Sequence, residues 1–276
     1  MTSTTTPPSL SPHAPPWYRP TVSPEHGVYV MLVMSFLTGA AAAQQWTGAT
    51  TLALICAFFG FQAEHPLVLQ IKQRKSWKPR FLIWLGIYGG VAGAIALWLG
   101  WQSQHLLPLL LIYGGVIAAL IVDMVSVWHR QQKSVLNELV TFAAICLSAP
   151  LAYIATVGTL STGAIALWLL NALFFSSAIF TVKLRKTKTA SIIPGLVFHT
   201  VATAIVLALW FVGWLSPITA SAFGVVLLKF MLILGRKHWY CTTQIQQVAL
   251  LETSSSFLFL AIAALSLLPA HLPSLE

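Results

Sequence analysis

Carboxylates carry most of the acid–base chemistry open to this chain, and there are only six of them. Glu276 is the last residue. Glu25, Glu64, Asp123, Glu138 and Glu252 each fall near an end of a long apolar segment, and always at the same face of the alternating pattern those segments set up. His26, His65, His129, His199 and His238 fall at that face too, while His105 and His271 fall at the other. Ionisable groups beside or inside membrane segments mark functional sites by default, because hydrocarbon penalises a bare charge. Carboxylates and imidazoles gathered at one face could hold a proton, a cation or a polar head group.

Some of these acids have an ordinary explanation. Glu25 follows Ser23, a good helix cap, and Pro24, which suits the first helical position. An acid there gains about 0.3–1 kcal/mol from the helix dipole. Glu138 stands in a first turn that Ser134 can cap, next to Asn137, and Glu252 is also near a segment start. Glu64 and Asp123 lack that excuse. They lie near the C-terminal ends of their segments, where the dipole disfavours an anion. Neither has a Lys or Arg one helical turn ahead; the nearest, Lys72 and Arg130, are eight and seven residues on. A partner on another helix or a bound cation is the remaining way to stabilise them. Asn171 is a mid-segment amide that needs a partner, and most such amides join helices. Lys229 can snorkel to the interface unless an acid faces it. Gln244, Gln247, Glu252, Ser255 and Ser256 make the start of the last segment polar, which points that end into the bundle. The expected site is one polar cavity at the cytoplasmic face, drawn from Glu25, His26, Glu64, His65, Asp123, Asn137, Glu138, Asn171, His199, Lys229, Gln244 and Glu252.

The elements that must position these residues are membrane helices. Of 276 residues, 57% are hydrophobic and 8% charged, against about 25% charged in soluble domains. Nine apolar segments, near 25–43, 49–71, 81–101, 106–127, 138–158, 162–182, 193–213, 217–235 and 248–268, each approach the ~20 residues needed to span a bilayer. The fold class is therefore all-α, a polytopic bundle of about nine transmembrane helices. Thirteen basic residues sit in alternate loops: Lys72, Arg74, Lys75, Lys78 and Arg80; Arg130 and Lys133; Lys183, Arg185, Lys186 and Lys188; Arg236 and Lys237. The intervening loops carry none. Positive loops stay inside, which puts the N-terminus in the cytoplasm and the C-terminus outside, in the cell (inner) membrane. Trp98, Trp101, Trp210 and Trp214 fall at outer ends, and Trp77, Trp128 and Trp239 at inner ends, as an aromatic belt should. Gly86 and Gly90, with Gly89 and Gly93, have the four-residue spacing that lets a neighbouring helix approach closely.

Residues 1–24 hold seven of the fifteen prolines and read as a disordered cytoplasmic tail. No basic region precedes an apolar core there, so it is not a signal peptide. The transmembrane domain runs over 25–270, and 271–276 form a short outer tail. The net charge of +9 belongs to the loops, and does not indicate nucleic acid. Cys56, Cys146 and Cys241 lack ligand spacing. Phosphate loops, HExxH, GxSxG and zinc spacings are missing, so no cofactor or metal is evident.

Pro24-Glu25-His26-Gly27-Val28-Tyr29, followed by a Met- and Gly-containing apolar run, resembles the opening of the bacterial YwiC-like membrane protein family. Ser134 through Leu139, Leu170 through Phe175 with Val182-Lys183, His199, and Gln244-Ile245 with Glu252 continue the resemblance in order, over about residues 23–262. It implies the fold and leaves the activity unassigned. More distantly, the chain is similar to UbiA-type prenyltransferases, nine-span enzymes with a cytoplasmic-side site. Leu136 through Leu139 stand where those enzymes carry an acidic element in the fifth span, and Asn171 where a second acidic motif begins in the sixth. Those enzymes hold a prenyl diphosphate through magnesium on two aspartate-rich motifs. Here the second span offers only Glu64 with Gln62 and His65, and Asn171 is followed by Leu-Phe-Phe-Ser-Ser. One carboxylate cannot hold two magnesium ions. Magnesium belongs here only if a transferase activity survives.

Three functions follow as alternatives. The first is a UbiA-like bundle that binds an isoprenoid, quinone-like or other amphipathic lipid, as a divergent or non-catalytic relative. The second is a small transporter or permease with the acids and histidines as a relay; the outer half offers it almost no ionisable groups. The third is an assembly factor for another membrane complex. Whether the chain is an enzyme stays open, and the lipid bilayer is its one certain partner.

Overall fold

Hydrophobic segments that cannot leave a backbone amide unpaired in lipid must form helices, and the architecture follows. The computed structural model describes residues 18–74, 76–103, 106–186 and 191–268. Among the described residues, nine spans are long and apolar enough to cross a membrane. Their ends agree with the hydropathy segments to within three residues. Seven are single helices: α1 (His26–Ala43), α2 (Gly48–Gln73), α3 (Pro79–Gln102), α4 (Leu106–Trp128), α7 (Thr162–Lys183), α8 (Ile193–Phe211) and α12 (Ile245–Leu267).

Two spans are broken. The fifth is α5 (Val135–Cys146) followed by α6 (Ser148–Val157). Pro150 has no N–H to give the Cys146 carbonyl and its ring crowds that carbonyl, so the chain steps at Leu147. The eighth is α9 (Pro217–Ser221) and α10 (Gly224–Gly235), joined through tightened bonds in which Ala222, Phe223, Val225 and Val226 each reach back three residues. A short helix that hydropathy does not disclose, α11 (Lys237–Thr242), fills the loop before α12.

Span one is the axis. It packs on α6, α12, α5, α7 and α2, and joins the two main apolar cores. One core gathers Met31, Met34, Leu170, Phe174, Phe175 and Phe259, with Phe174 stacked on Phe259 at 4.0 Å. The other gathers Phe36, Ala53, Leu109, Leu151 and Ile154. Close approach of span one to α6 depends on Gly39: a Cβ there would lie 1.9 Å from the Ala149 carbonyl oxygen. Ser148 Oγ donates to the Leu32 carbonyl across the same contact at 3.1 Å.

The four-residue glycine spacing on α3 works otherwise than expected. A Cβ on Gly86, Gly89, Gly90 or Gly93 would meet nothing within 4 Å. These glycines do not clasp a helix. Gly89 and Gly93 instead leave room beside α2. The belt tryptophans Trp77, Trp98, Trp101, Trp128, Trp210, Trp214 and Trp239 all project from the bundle surface.

The segment before α1, expected to be disordered through residue 24, is laid against the bundle from Tyr18 onward. Thr21 and Ser23 are buried. Ser23 N donates to Gln62 Oε1 at 3.2 Å, Gln62 Nε2 donates to Tyr29 Oη at 2.8 Å, and Tyr29 Oη donates back to the Ser23 carbonyl at 2.9 Å. Arg80 donates to the carbonyls of Arg19 and Pro20. Residues 1–17 and 271–276, and with them the rest of the expected tails, lie outside the described residues, as do His105, Lys75 and Lys188.

Candidate functional site: an apolar cavity with an acidic mouth

The second, third, fourth and fifth spans enclose a cavity of about 380 Å³, within the usual size of small-molecule sites. Its walls are apolar and small: Ala57, Gly60, Gly89, Ala92, Gly93 and Ala96 on α2 and α3, and Val116, Ile117 and Leu120 on α4. Glu64 of α2 and Asp123 of α4 line it at the face that carries the basic loops. Cys56 and Tyr113 line it at the other end. Tyr113 precedes Asp123 by ten residues, so at 1.5 Å per residue the cavity runs about 15 Å along α4, roughly half the ~30 Å hydrocarbon core. α3 packs along α2 and barely touches α4, which leaves the cavity thinly walled between α3 and α4.

Asp123 is buried. Its Oδ1 accepts from Asn137 Nδ2 at 2.7 Å, and Asn137 also donates to the Gln132 carbonyl at 3.1 Å. Ser134 Oγ accepts from Asn137 N at 3.3 Å, which fixes the first turn of α5 and aims Asn137 at Asp123. Asp123 Oδ2 is buried with no partner among the described residues, and so is Tyr113 Oη. The carboxylates of Asp123 and Glu25 lie close enough to act electrostatically on Glu64. Glu25 and His26 are exposed beside the mouth, His26 Nδ1 donating to the Pro24 carbonyl at 2.8 Å. His65 is half-buried and does not line the cavity.

The remaining expected site residues are elsewhere, so the single cavity expected from the sequence divides. Glu138 pairs with Lys183 of α7. Asn171 is fully buried in the first core, its Nδ2 donating to Thr38 Oγ1 and to the Leu167 carbonyl, both at 2.8 Å. Lys229 does not snorkel: it is buried and pairs with Glu252 Oε2 at 2.7 Å, its ammonium 5.6 Å from the Phe174 ring. Thr181 Oγ1 donates to the other Glu252 oxygen at 3.5 Å. His199 stacks on Phe230 at 3.8 Å, and its Nδ1 donates to the Gly195 carbonyl at 2.7 Å. Gln244 and Gln247 are exposed, whereas Ser255 and Ser256 are buried along with Val248, Phe259 and Ala263, so the two glutamines at the start of α12 do not point into the bundle as expected.

Residues 22–153 match the family model for YwiC-like protein. No curated protein matches the chain. The YwiC-like stretch covers α1 through α5 and the first half of α6, which are the elements that build the cavity. It contains Glu25, Glu64, Asp123, Asn137 and Glu138, and stops before Asn171, His199, Lys229, Gln244 and Glu252. The wider span of the resemblance, to residue 262, goes past that match.

A two-magnesium diphosphate site does not fit these residues. Asn171, the position of the second acidic motif in the distant resemblance, is sealed in a core that the cavity does not reach. Among the described residues, no three His, Cys, Asp or Glu side chains are grouped so as to hold a metal ion. Tyr113 was not singled out in the sequence, and Cys56 was read only as lacking ligand spacing. An aromatic and a thiol in apolar helices carry no signal of their own, and only the packing of α2 against α4 brings them to one cavity.

Proposed function

We propose that this multi-pass membrane protein holds an amphipathic lipid, of isoprenoid or similar slender shape, in the cavity between its second and fifth spans. The observation that carries the reading is the cavity itself: a long apolar wall ending at two carboxylates on one face. The small residues on α2 and α3 give a tail room, and the thin α3–α4 wall gives it a route from the bilayer. The basic loops favour a cytoplasmic position for the acidic mouth. Binding rather than diphosphate transfer is the activity that these side chains suit.

Native mass spectrometry of the protein released from nanodiscs, with the retained lipid identified, tests this. A specific lipid should be retained by the native chain and lost in Gly93→Leu, which fills the cavity without touching either carboxylate. Bulk phospholipid alone, unchanged in that variant, would overturn the reading.

A further inference from the structure

Four acids lie in the spans among the described residues, and they fall into two pairs. Glu138 has Lys183 and Glu252 has Lys229 as ion-pair partners. Glu64 and Asp123, the two that face the cavity, have no Lys or Arg partner among the described residues. Among the described residues, the spans thus supply a counter-charge for their acids except where the cavity lies. Asp123 is 4% exposed, and its Oδ2 is buried without a partner, while its Oδ1 is already bonded to Asn137. Glu25 adds a third carboxylate within electrostatic range of Glu64. A carboxylate that is nearly sealed from water needs its charge and both its oxygens met; Asn137 serves Oδ1 alone, and among the described residues no cation and no donor serves Oδ2.

We infer that the cavity's ligand carries a positively charged head group, a protonated amine, seated between Glu64 and Asp123 with its apolar tail along α3 and α4. This rests on the reading of the cavity as a site for an amphipathic lipid, and it names the head group. A protonated amine supplies both the charge and the N–H donors that Asp123 Oδ2 lacks. A diphosphate or carboxylate head would meet like charge at the mouth.

The test compares three probes with one twelve-carbon tail: dodecylamine, dodecanol and dodecanoate. Each is titrated at pH 7 into the full-length protein in phosphatidylcholine nanodiscs and counted by native mass spectrometry. The net charge of +9 favours dodecanoate on general grounds, so a preference for the amine must come from a local site. Dodecylamine should bind about tenfold more tightly than dodecanol, as a charge-assisted bond to a buried carboxylate allows. The advantage should vanish in Glu64→Gln/Asp123→Asn while dodecanol binding is kept. The comparison on the native chain stands even if that variant does not fold. Dodecanol or dodecanoate binding as tightly as the amine, with all binding lost in Gly93→Leu, would overturn the cationic head group and leave the lipid cavity standing. Amine preference that survives the double variant would also overturn it. No binding of any probe would overturn both.

Discussion

The two partners of the Lys229–Glu252 pair differ in how far water reaches them, and the difference has consequences. Lys229 is 4% exposed, whereas the side chain of its partner Glu252 is 23% exposed. Removing one member of a buried pair costs about 3–5 kcal/mol when the other charge is left sealed in. Glu252→Gln strands the buried ammonium and should approach that loss. Lys229→Met strands a carboxylate that water can reach and should cost less, about 1–2 kcal/mol. Thermal unfolding in detergent should therefore rank Glu252→Gln below Lys229→Met, with the double variant recovering part of the loss. Equal losses would show that the pair is solvated. Tyr240 offers a pH test in the same region. It is fully buried under Arg185, and burial pushes its hydroxyl up to about 12 from 10.0. A raised value means that the folded state holds its proton where the unfolded state has lost it. The stability it confers is complete below pH 10 and is lost as pH climbs toward 12. Tyr240→Phe should flatten the fall in melting temperature between those values relative to the native chain. Of these residues, the sequence marked Lys229 and Glu252 separately. Their pairing across α10 and α12 was invisible, because nothing local in the chain brings positions 23 apart onto facing surfaces.

At the scale of helices, hydropathy located the spans because membrane thickness sets their length. It said nothing of where they break. Pro150 was the one local signal for the α5–α6 step, and the α9–α10 step at Ala222 and Phe223 carries no comparable mark. Helix contacts were still less legible. The glycines spaced for close approach, Gly86, Gly89, Gly90 and Gly93, stand in open space, while the most crowded glycine is Gly39. Its need for a missing side chain comes from Ala149, 110 residues later, and no spacing rule records that. Gly39→Ala would press a methyl onto a backbone oxygen that cannot turn aside. It should cost at least the ~1–3 kcal/mol of an overpacked core, whereas Gly86→Ala and Gly90→Ala should leave stability within about 0.5 kcal/mol. Melting temperatures of the purified variants check the contrast. Comparable losses at all three positions would mean that α3 also docks closely on a neighbour.

The molecule as a whole divides across span one. The YwiC-like half encloses a cavity with two acids that no cation meets among the described residues, and the other half is locked by the Lys229–Glu252 pair and the Phe174–Phe259 stack. Polar residues at one face were readable from the alternation of the spans. Their division into an open mouth and two closed ion pairs was not, because it depends on which helices are neighbours. The orientation proposed from the basic loops has a direct check. Cysteines placed at Gln131 and Gln102, both exposed and at opposite faces, should react with a membrane-impermeant maleimide in whole cells only at 102. Labelling at 131 instead would invert the topology and move the acidic mouth outside.

The central claim is that the space between the second and fifth spans is a binding site, and an experimental density map of the protein in native lipid tests it most directly. Elongated density should lie along Gly89, Gly93 and Val116, with its head between Glu64 and Asp123. A cavity closed by α3 packed against α4, with Asp123 Oδ2 bonded within the protein, would contradict it.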